Sequence, residues 1–522
     1  MQIIKNISIF YMVTVKYRNT RNTKTRKSKI KKVKTHFSID ISKKYYKELT
    51  EKTGNNSLNL YNQKMLYKLP SKNLEVNVPW DFMILRQKIL DIIPKGIYGW
   101  YHEITSSCGT STFNAIDAFL NVKIKPNYLN YNKNISDEKI VTLYSKPLGI
   151  TNFKCKMPFF TAPYGCASEY GGKSDEINTM LGTIKAGGIY TIPMFSKYNM
   201  EYIANILKQN TSVASPFFMF QIYLTNDNDI NVSLIERAKK CGASVIILTV
   251  DTGANNHGGL GLLETQSDLT YGRDYCGNLF YDPVFNIKCY KEKKCVGTKD
   301  VRVLKHVSNY FKINIKKLLK SYNFTDSFDY AKQIQGQGMG NINGLLENDV
   351  DKNKDIYYLS IKHIAELCHS SKSLCKYIST GNISPIPLVV KGCVSVEGAI
   401  TIQKSNADGI YVSNHGGRFI YNGIAPLDVL REIRNAVKKN NRNFGVWFDG
   451  GIRNGQDIFT SYAKGAEFVG IGRPIIYSCV LYGEPGVSSI TKKMKLELDN
   501  QCRLCGQNNL NDYDKLKLSL YE

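Results

Sequence analysis

No apolar run in this 522-residue chain approaches the roughly 20 residues that cross a bilayer. The nearest, "ISIFYMVTV", is short and flanked by Lys5, Lys16 and Arg18. No acidic residue precedes Asp40. An acid-poor, basic start reads as an organelle transit sequence, mitochondrial or other, rather than as a secretory signal. Without that targeting the chain is expected in the cytoplasm. Lacking a secretory signal, its thirteen cysteines are expected to be free thiols. Cys502 and Cys505 form a lone CxxC with no second pair and no nearby histidine, which argues against a zinc or redox site. No metal site is expected.

What the chain does have is hydrophobic mass, 43% of residues, and a net charge of +26. Fourteen Lys or Arg fall in residues 1–50 against Asp40 and Glu48. Residues 1–75 are Lys/Asn-rich with weak periodicity and read as a basic leader. The leader is expected to be solvated or to serve targeting, and no nucleic-acid partner is expected. Residues 76–150 carry helical patterns, "WDFMILRQKILDIIP" and "STFNAIDAFLN".

From 151 to 495 short apolar runs alternate with amphipathic stretches. The runs are "PFFTAPYG", "GIYTIPMF", "PFFMFQIYL", "SVIILTVDT", "PIPLVVKG", "GIYVSNH", "FGVWFDGG" and "FVGIGRP". Eight buried strands with helices between them predict a (β/α)8 barrel; a doubly wound open sheet is the alternative. One gap, about 254–384, is too long for a plain loop. It reads as an enlarged βα loop with local helices such as "SIKHIAELCHSSKSLCKYI". Residues 496–522 are left as a C-terminal tail.

Barrels collect function at the C-terminal ends of their strands. Those ends carry Gln221 and Tyr223, Thr249 and Asp251, Lys391, then Ser413, His415 and Arg418. The last two carry Asp449, Gly450, Gly451 and Arg453, then Gly472 and Arg473. Singly, each has an ordinary explanation as a helix cap, a core ring or a solvated charge. Polar residues at six consecutive strand ends do not. "DGGIRNG" and "GIGRP" offer glycines that let backbone N–H groups approach an anion, with Arg453 and Arg473 to neutralise it. His415 fits a general base, Asp251 its orienting carboxylate, and Arg418 a two-pronged carboxylate donor. Tyr223 can hydrogen-bond a hydroxyl.

In order along the chain, "VVKG", "GIYVSNHGGR", "FDGGIRNGQDIF" and "GAEFVGIGRP" resemble the FMN-dependent α-hydroxy-acid dehydrogenases and oxidases: glycolate oxidase, lactate oxidase and the flavin domain of yeast lactate dehydrogenase. "TAPYG", "FQIY", "LTVDT" and, more loosely, "IPKGIYGWY" extend the resemblance to residues 90–495, outside the large insertion. It implies FMN as cofactor and oxidation of a small L-2-hydroxy acid, of glycolate or L-lactate type, to the 2-oxo acid. By the same resemblance His415 is the base, backed by Asp251, while Tyr223 and Arg418 bind substrate. Lys391 lies by the flavin ring, which Ala162 and Pro163 border. Gln221, Thr249 and Ser413 bond the flavin's polar edge or ribityl chain, and the last two loops take its phosphate. The electron acceptor (oxygen, a cytochrome or a quinone) is left open, and a homotetramer is the family's common state. No haem-domain signature precedes the barrel.

The pattern also breaks. Trp100, with Tyr101 beside it, stands where the family has a substrate tyrosine, and "FIY" follows "NHGGR" in place of Gln-Leu-Asp. Pro193 and Met194 replace a serine region. Gly258 occupies the place of a second substrate arginine, for which Arg273 is the candidate replacement. The alternative reading is therefore a degenerate FMN-binding member with little or altered activity.

Overall fold

Apolar runs bounded by turn residues become strands that are buried along all or nearly all of their length. The computed structural model describes residues 76, 78–79, 81–93, 110–130, 157–210, 217–251, 276–338, 360–378 and 381–521, all within the unit Asn73–Glu522. Trp100, Tyr101, Gly258, Arg273 and the leader lie outside the described residues. Eight strands form one parallel sheet: β1 (Phe159–Thr161), β2 (Tyr190–Ile192), β3 (Phe218–Ile222), β4 (Val245–Thr249), β5 (Leu388–Cys393), β6 (Gly409–Val412), β7 (Gly445–Phe448) and β8 (Phe468–Ile471). Ladders run β2 to β3 and onward to β8, then from β8 back to β1. A parallel bridge between Phe160 and Ile189, with Thr161 N donating to Ile189 O at 3.0 Å, brings β1 to β2. The circle closes, so the architecture is the (β/α)8 barrel and not an open sheet.

Aromatic rings fill the interior. Phe160 of β1 packs on Tyr411 of β6, Trp447 of β7 and Phe468 of β8, with centroids 4.6–5.5 Å apart. Contact between strands that are not sheet neighbours requires the side chains to point inward. Gly470 makes room: a Cβ there would sit 2.0 Å from the Tyr411 hydroxyl. Each helix begins on a side-chain cap where the sequence supplies one, such as Asp175, Asn199, Asp227, Ser395 and Asn454.

The segment between β4 and β5 is helical in its described parts, with helices including Pro283–Lys293, Val301–Phe311, Phe324–Gly338 and Ile361–His369. Ile287, Val296, Leu304, Val307 and Leu318 give it a small core of its own. The helix expected across "SIKHIAELCHSSKSLCKYI" stops at His369. Its terminal carbonyls go to the barrel instead: Lys239 Nζ donates to Leu367 O, Cys368 O and Ser370 O at 2.7–2.8 Å. Glu236 then takes the Ser373 hydroxyl and Cys375 N at 2.7 and 3.2 Å. Those long-range partners outcompete another helical turn. Helix Glu484–Leu504 runs straight through residue 495, and the far C-terminus pairs Leu520–Tyr521 antiparallel with Lys123–Ile124.

Helix Thr110–Asn121 crosses the barrel mouth so closely that two loops need glycine. At Gly417 a Cβ would lie 2.6 Å from Thr112 N, and at Gly451 one would lie 1.9 Å from Ala115 O. Both have positive φ, 78° and 84°. We expect Gly451→Ala to destabilise the fold by well over about 2 kcal/mol, since conformational strain and collision add. Gly242→Ala is the comparator, with φ 95° but nothing within 4 Å. It should cost only the conformational part, about 1–2 kcal/mol. Thermal melts of the two variants check this; equal melting points would mean that the helix does not depend on the bare backbone of Gly451.

Candidate active site

The strand ends converge as the fold demands. Thr249 on β4 lies in register with Lys391 on β5, and β5 bulges between Lys391 and Cys393. The bulged residue, Gly392, has φ 110°, and a Cβ there would meet Asp251 at 2.4 Å. The bare backbone lets Asp251 lie over β5 and reach β6. There its Oδ1 is 2.6 Å from Nδ1 of His415. The other ring nitrogen, Nε2, faces the Tyr223 hydroxyl at 3.3 Å. His415 itself has φ 56°, a left-handed conformation uncommon for a residue with a side chain.

Burial pushes the His415 pKa below 6.5; Asp251 opposes that shift, and Lys391 and Arg418 add to it. The ring is therefore largely neutral at pH 7 and able to take a proton. Burial alone would raise the Asp251 carboxyl, but His415 and Lys391 outweigh it and hold it below the ordinary carboxylate range. Lys391 Nζ stands 3.9 Å from Asp251 Oδ2 and 4.0 Å from Asp449 Oδ2, and donates to Ser413 Oγ at 3.0 Å. Ser413 Oγ also accepts from His415 N at 3.1 Å. Gln221 joins Thr249 Oγ1 at 3.0 Å and Met194 N at 3.2 Å.

A cleft with about 560 Å³ of empty space, open to solvent at its mouth, adjoins this group. Its lining includes Ala162, Pro163, Lys391, His415 and Arg418, together with Asp449, Gly450, Gly451, Arg453, Gly472 and Arg473 from the last two loops. Asp251, Tyr223, Gln221, Thr249 and Ser413 stand behind these residues, bonded to them or to one another. Arg418 donates from Nη1 to His415 O at 2.8 Å, and Arg473 from Nη2 to Gly416 O at 3.1 Å. One glycine thus has two guanidiniums beside it.

Burial and the neighbouring Arg473 push Arg453 down to about 9. Burial, with Arg418 adding to it, pushes Arg473 down to about 10. The Asp457 carboxylate is spent on the backbone, accepting from Arg453 N and Asn454 N at 2.8 and 3.2 Å. Arg453 Nε, Asp251 Oδ2 and Asp449 Oδ1 are buried with no hydrogen-bond partner among the described residues. Crowded cations and unanswered polar atoms at one cleft describe a site built for an anionic, polar ligand.

Some members escape sequence reasoning. Tyr164 and Ile476 line the cleft; the first sits inside "TAPYG" and the second one helical turn beyond Arg473. Tyr411 sends its hydroxyl to Asp449 Oδ2 at 2.9 Å, and Phe419 sets its ring edge-on to His415 at 4.9 Å. Met194 accepts from Tyr223 N on its sulfur at 3.3 Å. Apart from Phe419, four residues beyond His415, these contacts join residues far apart in the chain, and no local pattern announces them.

A family model described as FMN-dependent dehydrogenase matches residues 91–259 and 297–520. An L-lactate oxidase of Lentilactobacillus hilgardii is 28% identical over 435 residues, 83% of this chain and 92% of that protein. Glycolate oxidase of Spinacia oleracea is 26% identical, covering 83% and 92%. 2-Hydroxyacid oxidase 1 of Mus musculus is 25% identical, covering 82% and 93%. Among solved structures, a lactate oxidase of Pediococcus acidilactici superposes with a TM-score of 0.57 at 23% identity over 86% of this chain and 96% of that one.

The imidazole of His415 should titrate below 6.5 when followed by NMR. Asp251→Asn should lower that value further, because it removes the charge that favours the imidazolium. A rise in the variant would contradict the assigned electrostatics.

Proposed function

The chain belongs to the FMN-dependent dehydrogenase family, and on that premise we propose that it oxidises a small L-2-hydroxy acid, of glycolate or L-lactate type, to the 2-oxo acid. The more general activity, FMN-dependent oxidation of a 2-hydroxy acid, follows from the family and its relatives.

The residues present fit FMN. A phosphate needs positive charge and approachable backbone, and Arg453, Arg473, Gly450, Gly451 and Gly472 supply both at one cleft. The unpartnered Arg453 Nε and the mutual repulsion of the arginines are what a dianion would relieve. The polar strand ends Lys391 and Asp449, with Ala162 and Pro163, remain for the ring and ribityl chain.

Turning a hydroxy acid into an oxo acid releases two electrons and two protons. Bound FMN would supply the acceptor for the electron pair and for one of the two protons. His415 Nε2 takes a proton from the substrate, and the Asp251 carboxylate stabilises the imidazolium that results. Tyr223, 3.3 Å from that nitrogen, holds the substrate oxygen beside the base. Arg418 draws in the carboxylate. Lys391, beside two carboxylates, offsets negative charge that develops near the ring. The observation that carries this reading is His415 held between Asp251 and Tyr223 at the edge of an arginine-lined cleft.

Anaerobic mixing of the yellow holoprotein with glycolate, L-lactate and longer 2-hydroxy acids should bleach the flavin. His415→Gln should slow that bleaching about 10²–10⁴-fold while FMN stays bound. A yellow protein bleached by no hydroxy acid would leave only the degenerate, FMN-binding reading. Arg453→Met should weaken FMN by about one to two decades in Kd, read by flavin fluorescence titration. An unchanged Kd would remove Arg453 from the phosphate site.

A further inference from the structure

The family pattern skips residues 260–296, yet the described start of that stretch reaches the site. Asn278 is completely buried. Its Nδ2 donates to Pro193 O and Met194 O at 3.1 and 3.0 Å, and its Oδ1 accepts from Met200 N at 2.9 Å. The preceding residue, Gly277, donates its N–H to Ser196 O at 2.9 Å. A Cβ on Gly277 would strike Lys197 O at 2.5 Å, so the backbones meet directly. Phe195 O is taken by Cys166 N at 3.0 Å. Four consecutive carbonyls of the loop after β2 are therefore satisfied, three of them by Gly277 and Asn278. A buried loop whose carbonyls are all spoken for has one conformation.

That loop backs the site. Met194 Sδ accepts from Tyr223 N, and Met194 N donates to Gln221 Oε1 at 3.2 Å. Phe195 stacks on the Tyr223 ring, centroids 5.2 Å apart and 25° between planes. The insertion end is itself bolted down. Arg237 donates to Asn278 O at 2.9 Å while paired with Asp282 at 2.8 Å and with Glu201 through two bonds of 2.8 and 2.9 Å.

We infer that Asn278 is a positioning residue: through the Pro193–Ser196 loop it sets Tyr223 against His415 and Gln221 against the flavin. This rests on the roles assigned above to Tyr223 and the flavin. Asn286 provides a matched control. It too is fully buried in the insertion, with bonds to Phe280 O, Asp282 O and Gly297 N of 2.8–2.9 Å, none of which goes to the loop.

The test uses the full-length, FMN-loaded protein, its wild-type form, Asn278→Ala, Asn286→Ala and Met194→Leu. Two readouts are taken: the anaerobic rate of bleaching by the best hydroxy acid, and the visible circular dichroism of the bound flavin. Asn278→Ala should lose about ten- to a hundredfold in bleaching kcat/KM, the effect of misplacing groups by an ångström, and should change the dichroism. Asn286→Ala should stay within about twofold of wild type. Met194→Leu, which keeps the fold and Asn278, should alter the dichroism in the same sense. Equal losses in the two asparagine variants would reduce Asn278 to general support of the insertion and overturn the inference. So would wild-type rate and dichroism in Asn278→Ala or, should that variant not fold, in Met194→Leu. A wild type that no hydroxy acid bleaches refutes the substrate reading instead, and the dichroism still decides the role of Asn278.

Discussion

The 2.6 Å contact between Asp251 and His415 is the constraint around which the barrel mouth is organised. It joins the ends of β4 and β6 across β5, and it exists only because β5 bulges at Gly392 and offers no Cβ there. An isolated buried carboxylate would cost several kcal/mol and would protonate instead. Lys391, raised from the same strand, makes the charged form tenable. The same lysine, with burial, disfavours a second cation on the imidazole. One arrangement thus keeps the acid ionised and the base neutral, which is the combination proton abstraction requires at neutral pH. The left-handed turn at His415 is held by Ser413 and Arg418, whose bonds to His415 N and O offset its conformational cost.

The cleft has a second electrostatic regime a few residues away. Burial and neighbouring cations disfavour the charged forms of Arg453 and Arg473, the reverse of the situation at Asp251, yet both stay protonated at neutral pH. Helix Thr110–Asn121 ties the two ends together: Thr112 Oγ1 donates to Gly416 O at 2.9 Å, Gly423 N donates to Ser111 Oγ at 2.6 Å, and Ala115 O lies against Gly451. A segment N-terminal to the barrel therefore holds both the loop that carries His415 and the loop that carries Arg453, so the two share one neighbouring helix.

The barrel was legible because its strands are continuous apolar runs, a pattern that only full burial on both faces produces. The mouth was legible because polar residues at strand ends have few other reasons to recur six times. Both signals are local. The Tyr411 hydroxyl on Asp449, the sulfur of Met194 under Tyr223 and the Lys239 cap that stops helix Ile361–His369 depend on partners 29 to 131 residues away. Each of those residues, read alone, is an ordinary core ring, core thioether or surface lysine. Lys239 shows why composition misleads: its ammonium is buried and held by three carbonyls, although a lysine in an amphipathic helix is expected to be solvated.

The insertion sharpens the distinction between chemistry and shape. Lengthening a loop costs little conformational entropy, since the penalty grows only with the logarithm of its length. A long insert is therefore tolerated wherever it can bury its own apolar surface, as Ile287, Leu304 and Leu318 do here. Its attachment is another matter. Arg237 and Asp282 form a buried pair, and losing either partner would leave the other's charge unanswered, so the first described turn of the insert is fixed to two barrel helices. From that anchor it meets the β2 loop through backbone carbonyls, which any side chain sequence presents alike. On the proposed reading, proton transfer is organised by residues inside the family pattern, while the wall behind Tyr223 is held by Gly277 and Asn278, outside it. Selection can alter that wall without touching His415, Asp251 or Lys391.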